Sequence, residues 1–286
     1  MLGKFIKGWS LPLNFLILLS KVRKKFATNR TTPEIIKFKD IHKGKRCFIL
    51  ATGPSINQMD LTVLKDEISI AVSFFGYHKD IDKISPKYHF CAPNHEPLGE
   101  ANALNYFHMF REHYSPELVV FLGITRYKYS FDKVLKRYPE LTPPNNYMID
   151  YYKSVLIDDD NKNDSEIWDP LQCPMDMMTV AFGAIMLAAY MGCNEIYLLG
   201  CDYNYMRDLT GAKNQHFYPD SKTIQGRENI SEKGLESFFE SSYWLWKRYR
   251  LVSEALRKRG VNIYNSSPDS SLDMFPKVSF ESLQFK

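Results

Sequence analysis

The chain has 286 residues, of which 44% are hydrophobic and 24% charged, and its net charge is +4. That length is ample for one α/β domain with a full core and short for two, and the composition excludes an intrinsically disordered chain. The small positive charge is gathered at one end rather than spread along a groove, which argues against a nucleic-acid partner.

That end is the N-terminus. No acidic residue precedes Glu34, whereas Lys4, Lys7, Lys21, Arg23, Lys24, Lys25 and Arg30 all do. Between the basic clusters runs an apolar stretch from Trp9 to Leu19, too short to span a bilayer, which takes about 20 residues. No small-residue cleavage site follows it, so the outline is not that of a signal peptide. Residues 1–33 are expected to be a membrane-associating segment, with residues 1–26 on an anionic membrane surface. The alternative is a helix docked on the protein's own core. Residues 34–286 are expected to form one Rossmann-like domain.

After the break at Thr31-Thr32-Pro33, short apolar runs closed by turn residues read as buried strands. In chain order they are Arg46–Ala51, Ile68–Val72, Tyr88–Ala92, Leu118–Leu122, Glu195–Leu199 and Val261–Tyr264. Asp176 reads as the N-cap of a helix over Met177–Met191, apolar nearly all round and closed by Gly192. A second long helix is expected over Gly234–Arg259, ended by Gly260. Strands alternating with helices imply a mainly parallel sheet flanked by helices. The five cysteines form no CxxC pair, and several lie inside apolar runs as small hydrophobes. A reducing, cytoplasmic location fits that usage, peripheral to the inner face of the membrane.

An open parallel sheet binds its ligand beyond the carboxyl ends of the strands. The residues there are Thr52, Gly53, Pro54 and Ser55, then Ser73, Asn94, Asp202 with Tyr203, and Ser266 with Ser267. They are small, polar and mostly uncharged, as nucleotide recognition requires. In the first turn, Gly53 would let a phosphate approach the backbone, and Pro54 suits the first position of a helix. Free N–H groups and the hydroxyls of Thr52 and Ser55 would face the anion. No Gly-Lys-Ser/Thr follows, so the turn is not a P-loop.

The run Cys47-Phe48-Ile49-Leu50-Ala51-Thr52-Gly53-Pro54-Ser55-Ile56, with Asp60, resembles the opening motif of two related groups. One is the glycosyltransferase family 42 sialyltransferases of bacteria. The other is the 6-hydroxymethylpterin pyrophosphokinase-like family found in surface-polysaccharide loci. The block Thr179–Asp202, the His216-Phe217-Tyr218 triplet and Asn265 to Ser270 are similar to the same groups, so the resemblance covers roughly residues 40 to 280. It implies the sialyltransferase-like variant of the glycosyltransferase A fold. The activity implied is inverting, metal-independent transfer of an acidic sugar from a CMP-activated donor to a glycan or lipid-linked acceptor, in capsule or lipopolysaccharide synthesis. In the sialyltransferases the loop and second-strand positions carry asparagines; here they are Thr52 and Ser73.

Such a transfer needs a base for the acceptor hydroxyl and donors for the leaving phosphate. His216 is one candidate base. The sialyltransferase motif has a second histidine four residues on, and that position is Asp220 here, so either residue fills the role. Tyr203, Tyr205 and Tyr218 are candidate donors to the phosphate. Asp158-Asp159-Asp160 imitates a metal-holding Asp-x-Asp signature, but its polar surroundings favour a solvated loop. No cofactor is expected; magnesium enters only if the chain is instead an ATP-dependent pyrophosphokinase. A nucleotide-binding protein without catalysis is the third reading, and self-association is left open.

Overall fold

The computed structural model describes residues 28–172, 174–207, 215–218 and 230–285. Seven strands form one sheet: β1 (Arg46–Leu50), β2 (Ser69–Val72), β3 (Tyr88–Cys91), β4 (Val119–Ile124), β5 (Asn145–Asp150), β6 (Glu195–Leu199) and β7 (Asn262–Asn265). All neighbours are parallel, in the order β5-β4-β3-β2-β1-β6-β7. The expected α/β architecture with a parallel sheet flanked by helices is therefore the one observed. The helices are α1 (Ile81–Ile84), α2 (Glu100–His113), α3 (Phe131–Arg137), α4 (Val180–Tyr190) and α5 (Ile230–Lys258), joined by several 3-10 turns.

Both faces of the sheet are covered, which is why the inner strands read as continuous apolar runs. On one face, α4 and α5 pack on Cys47, Ile49, Ile70, Phe90 and Ile196. On the other, Phe107, Phe110 and Phe131 from α2 and α3 cover Val120 and Leu122. Ile56, Leu61 and Phe280 close the same face over Phe48 and Leu50. Cys47, Cys91, Cys193 and Cys201 are buried, free thiols within this packing.

Three expectations are corrected in detail. The apolar helix starts at Val180 rather than Met177, with Thr179 as its N-cap. A bridge between Val155 and Met175, together with an Asp176 N–H bond to the Val155 carbonyl, holds the residues before it extended. The second helix is interrupted at Gly234 and runs regularly from Leu235. It ends as expected at Gly260, where Val261 N–H reaches Leu256 O and Gly260 N–H reaches Arg257 O, a Schellman closure. Strand β5 was not foreseen. Its Asn-Asn start has poor strand propensity, and pairing with β4 along six residues decides its conformation.

The outer edge of β5 is bordered by residues 28–33. Thr32 N–H donates to Met148 O, and the Thr32 and Thr31 hydroxyls accept from Met148 and Asp150 N–H. Arg30 lies between Asp132, at 2.5 Å, and Asp150, at 3.3 Å. Residues 28–33 thus pack along the outer edge of β5, and Arg30 serves an internal ion pair. The apolar run Trp9–Leu19 and the rest of residues 1–27 lie outside the described residues. Among the described residues no helix is long and apolar enough to cross a membrane.

Candidate functional site

The order of the sheet creates one topological switch point. From β1 the chain winds outward through β2 to β5, then returns to β6 on the other side of β1 and continues to β7. The loops after β1 and β6 leave in opposite directions, and the crevice between them is where open parallel sheets bind ligands. Thr52–Ser55 and Asp202 flank this crevice.

The two loops are welded to each other. Gly53 N–H donates to Gly200 O at 2.9 Å, and Ser55 N–H donates to Asp202 Oδ2 at 2.8 Å. The Ser55 hydroxyl donates to the other Asp202 oxygen. Burial pushes the Asp202 carboxyl upward, and the two bonds from Ser55 pull it back down. Gly53 is required here for a reason other than the one expected. Its φ is −63°, ordinary for any residue. A Cβ at that position, however, would lie 2.5 Å from Asp202 Cγ and 2.5 Å from Gly200 O. The glycine lets one loop pass against the other, and Gly200, at φ +69°, takes the left-handed turn that brings the second loop in. Pro54 does open a short helix, a 3-10 turn over Pro54–Gln58. The Ser55 N–H and hydroxyl that were expected to face a phosphate are instead held by Asp202.

The segment His216-Phe217-Tyr218 folds back over the first loop. Phe217 N–H donates to Thr52 O at 2.9 Å, and His216 Nδ1 lies 2.9 Å from Thr52 Oγ1. The His216 ring stacks on Tyr218, with centroids 5.0 Å apart and planes 8° apart. Tyr218 is buried against Phe74 and Tyr77. The site residues from the β1 loop and from the distant His-Phe-Tyr triplet are therefore brought together. Asp220 lies outside the described residues.

Ser73 sits after β2 in a left-handed conformation, φ +52°. His89, fully buried on β3, holds it there: His89 Nε2 donates to Ser73 O at 2.9 Å. The carbonyl can only accept, so Nδ1 carries the lone pair and accepts from Tyr114 OH at 3.0 Å. Burial lowers the His89 pKa from 6.5 to about 3, so the imidazole stays neutral. The unfolded chain takes up a proton at this residue below pH 6.5 and the folded chain does not. Stability is therefore present above that pH and falls progressively toward pH 3, with a loss at pH 5 of about 2 kcal/mol. Urea unfolding at pH 7 and pH 5 measures this loss. His89→Gln should flatten the dependence, and an unchanged slope in that variant would assign it to other groups.

Several other residues at the strand ends have partners within the fold. Asn94 donates to Gly99 O and Tyr129 O and accepts from Asn102, so its side chain organises the loop after β3. Ser267 Oγ accepts from Cys201 N–H, and Ser266 N–H donates to Leu198 O, tying the β7 loop to the β6 loop. Ser270, the last residue of the Asn265–Ser270 segment, donates to Cys201 O and reinforces the same junction. Tyr203 OH is engaged by Tyr249 OH at 2.5 Å and Thr179 at 3.1 Å, and burial raises its pKa strongly. Its hydroxyl is thus already engaged within the fold. Tyr205, pushed up to about 12 by burial, remains a protonated O–H donor at neutral pH.

Asp158-Asp159-Asp160 forms a turn closed by Asn161, with Asp159 ion-paired to Lys162 at 3.1 Å and 3.8 Å from Lys247. Among the described residues no cluster of metal-ligating side chains is present. A cavity of about 560 Å³ lies at the opposite end of the sheet, lined by Lys39, Lys43, Trp168, Tyr190 and Arg259. It is remote from the loops that follow the strands.

No family model matches the chain, and no curated protein matches it. Solved structures with a similar fold exist. The MAf glycosyltransferase from Magnetospirillum magneticum AMB-1 is 16% identical over 88% of this chain, with a TM-score of 0.49. This chain spans only 38% of that enzyme's length. The monofunctional alpha-2,3-sialyltransferase Cst-I from Campylobacter jejuni is 14% identical over 85% of this chain and 83% of its own, with a TM-score of 0.46. The sialyltransferase CstII from the same organism, in complex with CMP-3FNeuAc, is 14% identical over 82% and 86%, with a TM-score of 0.46. At identities this low the likeness carries no activity over to this chain.

Proposed function

We propose that the chain is an inverting glycosyltransferase that moves an acidic sugar from a CMP-activated donor to a hydroxyl of a surface-polysaccharide or lipid-linked glycan. The observation that supports it best is the contact between His216 Nδ1 and Thr52 Oγ1 beside the switch-point crevice. If Nδ1–H donates to Thr52, Nε2 carries the lone pair and serves as general base. In the reaction Nε2 takes the proton of the acceptor hydroxyl while that oxygen bonds the anomeric carbon. The bond from that carbon to the donor phosphate breaks, and its electron pair leaves with CMP. Tyr205 and Tyr218 are the hydroxyls assigned to the leaving phosphate, with no metal in the step. The resemblance of the opening motif to the sialyltransferases supports the donor class.

In this reading residues 1–26 hold the protein on the cytoplasmic face of the membrane. Thr28 O accepts from Arg126, which also reaches Asp150 at the carboxyl end of β5. Thr28 therefore lies at the carboxyl end of β5, the outermost strand on the β2 side of the crevice. Thermal-shift measurements with CMP, CDP, UDP, GDP and ATP, with and without magnesium, test the donor. A nucleotide at ten times its Kd stabilises by about 1.4 kcal/mol. CMP is expected to do so without magnesium; stabilisation by ATP and magnesium alone would replace this reading with the pyrophosphokinase.

A further inference from the structure

The outward face of α5 departs from the rule that the solvent side of an amphipathic helix is polar. Its inner face is conventional: Ser242, Leu245, Tyr249, Val252 and Leu256 are buried. On the outer face Leu235 is 52% exposed, Phe239 54% and Tyr243 61%, spaced four residues apart in one stripe. Trp244, 39% exposed, packs on Tyr243 with centroids 5.3 Å apart. Scattered apolar residues are normal on a surface, but a contiguous aromatic stripe marks an interaction site.

The charges around the stripe identify the partner. Glu236 and Glu240 stand exposed before Tyr243, and Lys247 and Arg250 follow it. A helix that presents acids at one end and bases at the other around an aromatic centre is complementary to itself when reversed. We propose that this face pairs antiparallel with the same face of a second copy, about a twofold axis passing near Tyr243. Seven residues on either side of the axis, Glu236 meets Arg250 of the second copy, about 10 Å from the centre along the helix. Four residues on either side, Phe239 meets Lys247, whose ammonium lies 5.2 Å from the Trp244 ring centroid and 3.8 Å from Asp159 in its own chain, with Glu240 one position away. Arg250 already approaches Glu254 on its own helix at 3.4 Å, but that pair is solvent-exposed and contributes little, so Arg250 can turn to the second copy. A membrane surface fits less well, since Glu236 and Glu240 would face anionic headgroups. The pairing stands apart from the transferase reading, because none of these residues belongs to the crevice.

Sedimentation equilibrium of the full chain tests it. The wild type is expected to be a dimer at micromolar concentration. Glu236→Arg and Arg250→Glu should each weaken the dimer at least tenfold, and the double swap should restore it. Tyr243→Ser should leave a monomer with unchanged circular dichroism. A monomeric wild type, or a dimer indifferent to all four variants, would overturn the proposal. So would a monomer that binds vesicles of phosphatidylglycerol through Tyr243.

Discussion

Replacing His216 by alanine is expected to lower sugar transfer by a factor of about 10³ while leaving CMP binding within a few-fold of wild type. The base acts only when the acceptor proton moves, so its loss appears in kcat and not in donor affinity. Thr52→Val should retain the shape of the loop but remove the oxygen that lies 2.9 Å from Nδ1. Without that hydrogen bond the ring's tautomer and tilt are less firmly set, and about a hundredfold of the rate should go with it. Because Thr52 works through the histidine, the two losses will not add: in the His216→Ala background, Thr52→Val should change nothing further. Transfer assays on the two single variants and the double read this directly. If His216→Ala keeps its rate and Asp220→Asn loses it, the base is Asp220.

The second large effect is on folding. Gly53→Ala places a methyl group where Asp202 Cγ and Gly200 O already stand, each at 2.5 Å. Neither obstacle is the loose end of a flexible side chain. Asp202 is clamped by Ser55, and Gly200 O accepts the Gly53 N–H itself. Overpacking of this kind costs about 3 kcal/mol, and relief requires the β1 and β6 loops to part, which deforms the crevice. Denaturant unfolding should show the loss of stability, and CMP binding should fall with it. Gly44→Ala is the internal contrast. Unlike Gly53 it carries a positive φ, +72°, but a Cβ there meets nothing within 4 Å, so only backbone strain opposes it. Equal losses of CMP binding in the two variants would show that loop contact at Gly53 is not what shapes the site.

Much of the fold was legible because the inner strands are sequence-local objects. β6 falls where its apolar run was read, and β1 to β4 and β7 lie within a residue or two of theirs. β5 was missed because an edge strand needs no apolar run, only a partner on one side and cover on the other. Thr31, Thr32 and Arg30 supply that cover, from residues that read as the tail of a basic segment. Helices α2 and α3 were also not singled out, although they make most of the second face of the core.

At the candidate site, the sequence read Thr52 to Ser55 at the head of a series of polar strand ends, and the strand order sets this loop beside the switch point. It could not tell a ligand-facing hydroxyl from one already bonded, since Ser55 and Asp202, like Ser267 and Cys201, meet only across the sheet. Asn94 illustrates the same limit: its partners Asn102 and Tyr129 are eight and 35 residues away.

The sequence by itself determined the parallel α/β class and the places of the polar turns that follow the strands. These follow from apolar periodicity and from turn residues, which act over a few neighbouring positions. Only the tertiary structure decided which polar atoms are consumed internally. It also decided that Gly53 answers to a crossing loop, and that Thr52 rather than a phosphate lies against His216 Nδ1. Hydrogen-bond satisfaction and steric contact depend on what the rest of the chain brings to the same place, and no local spacing encodes that.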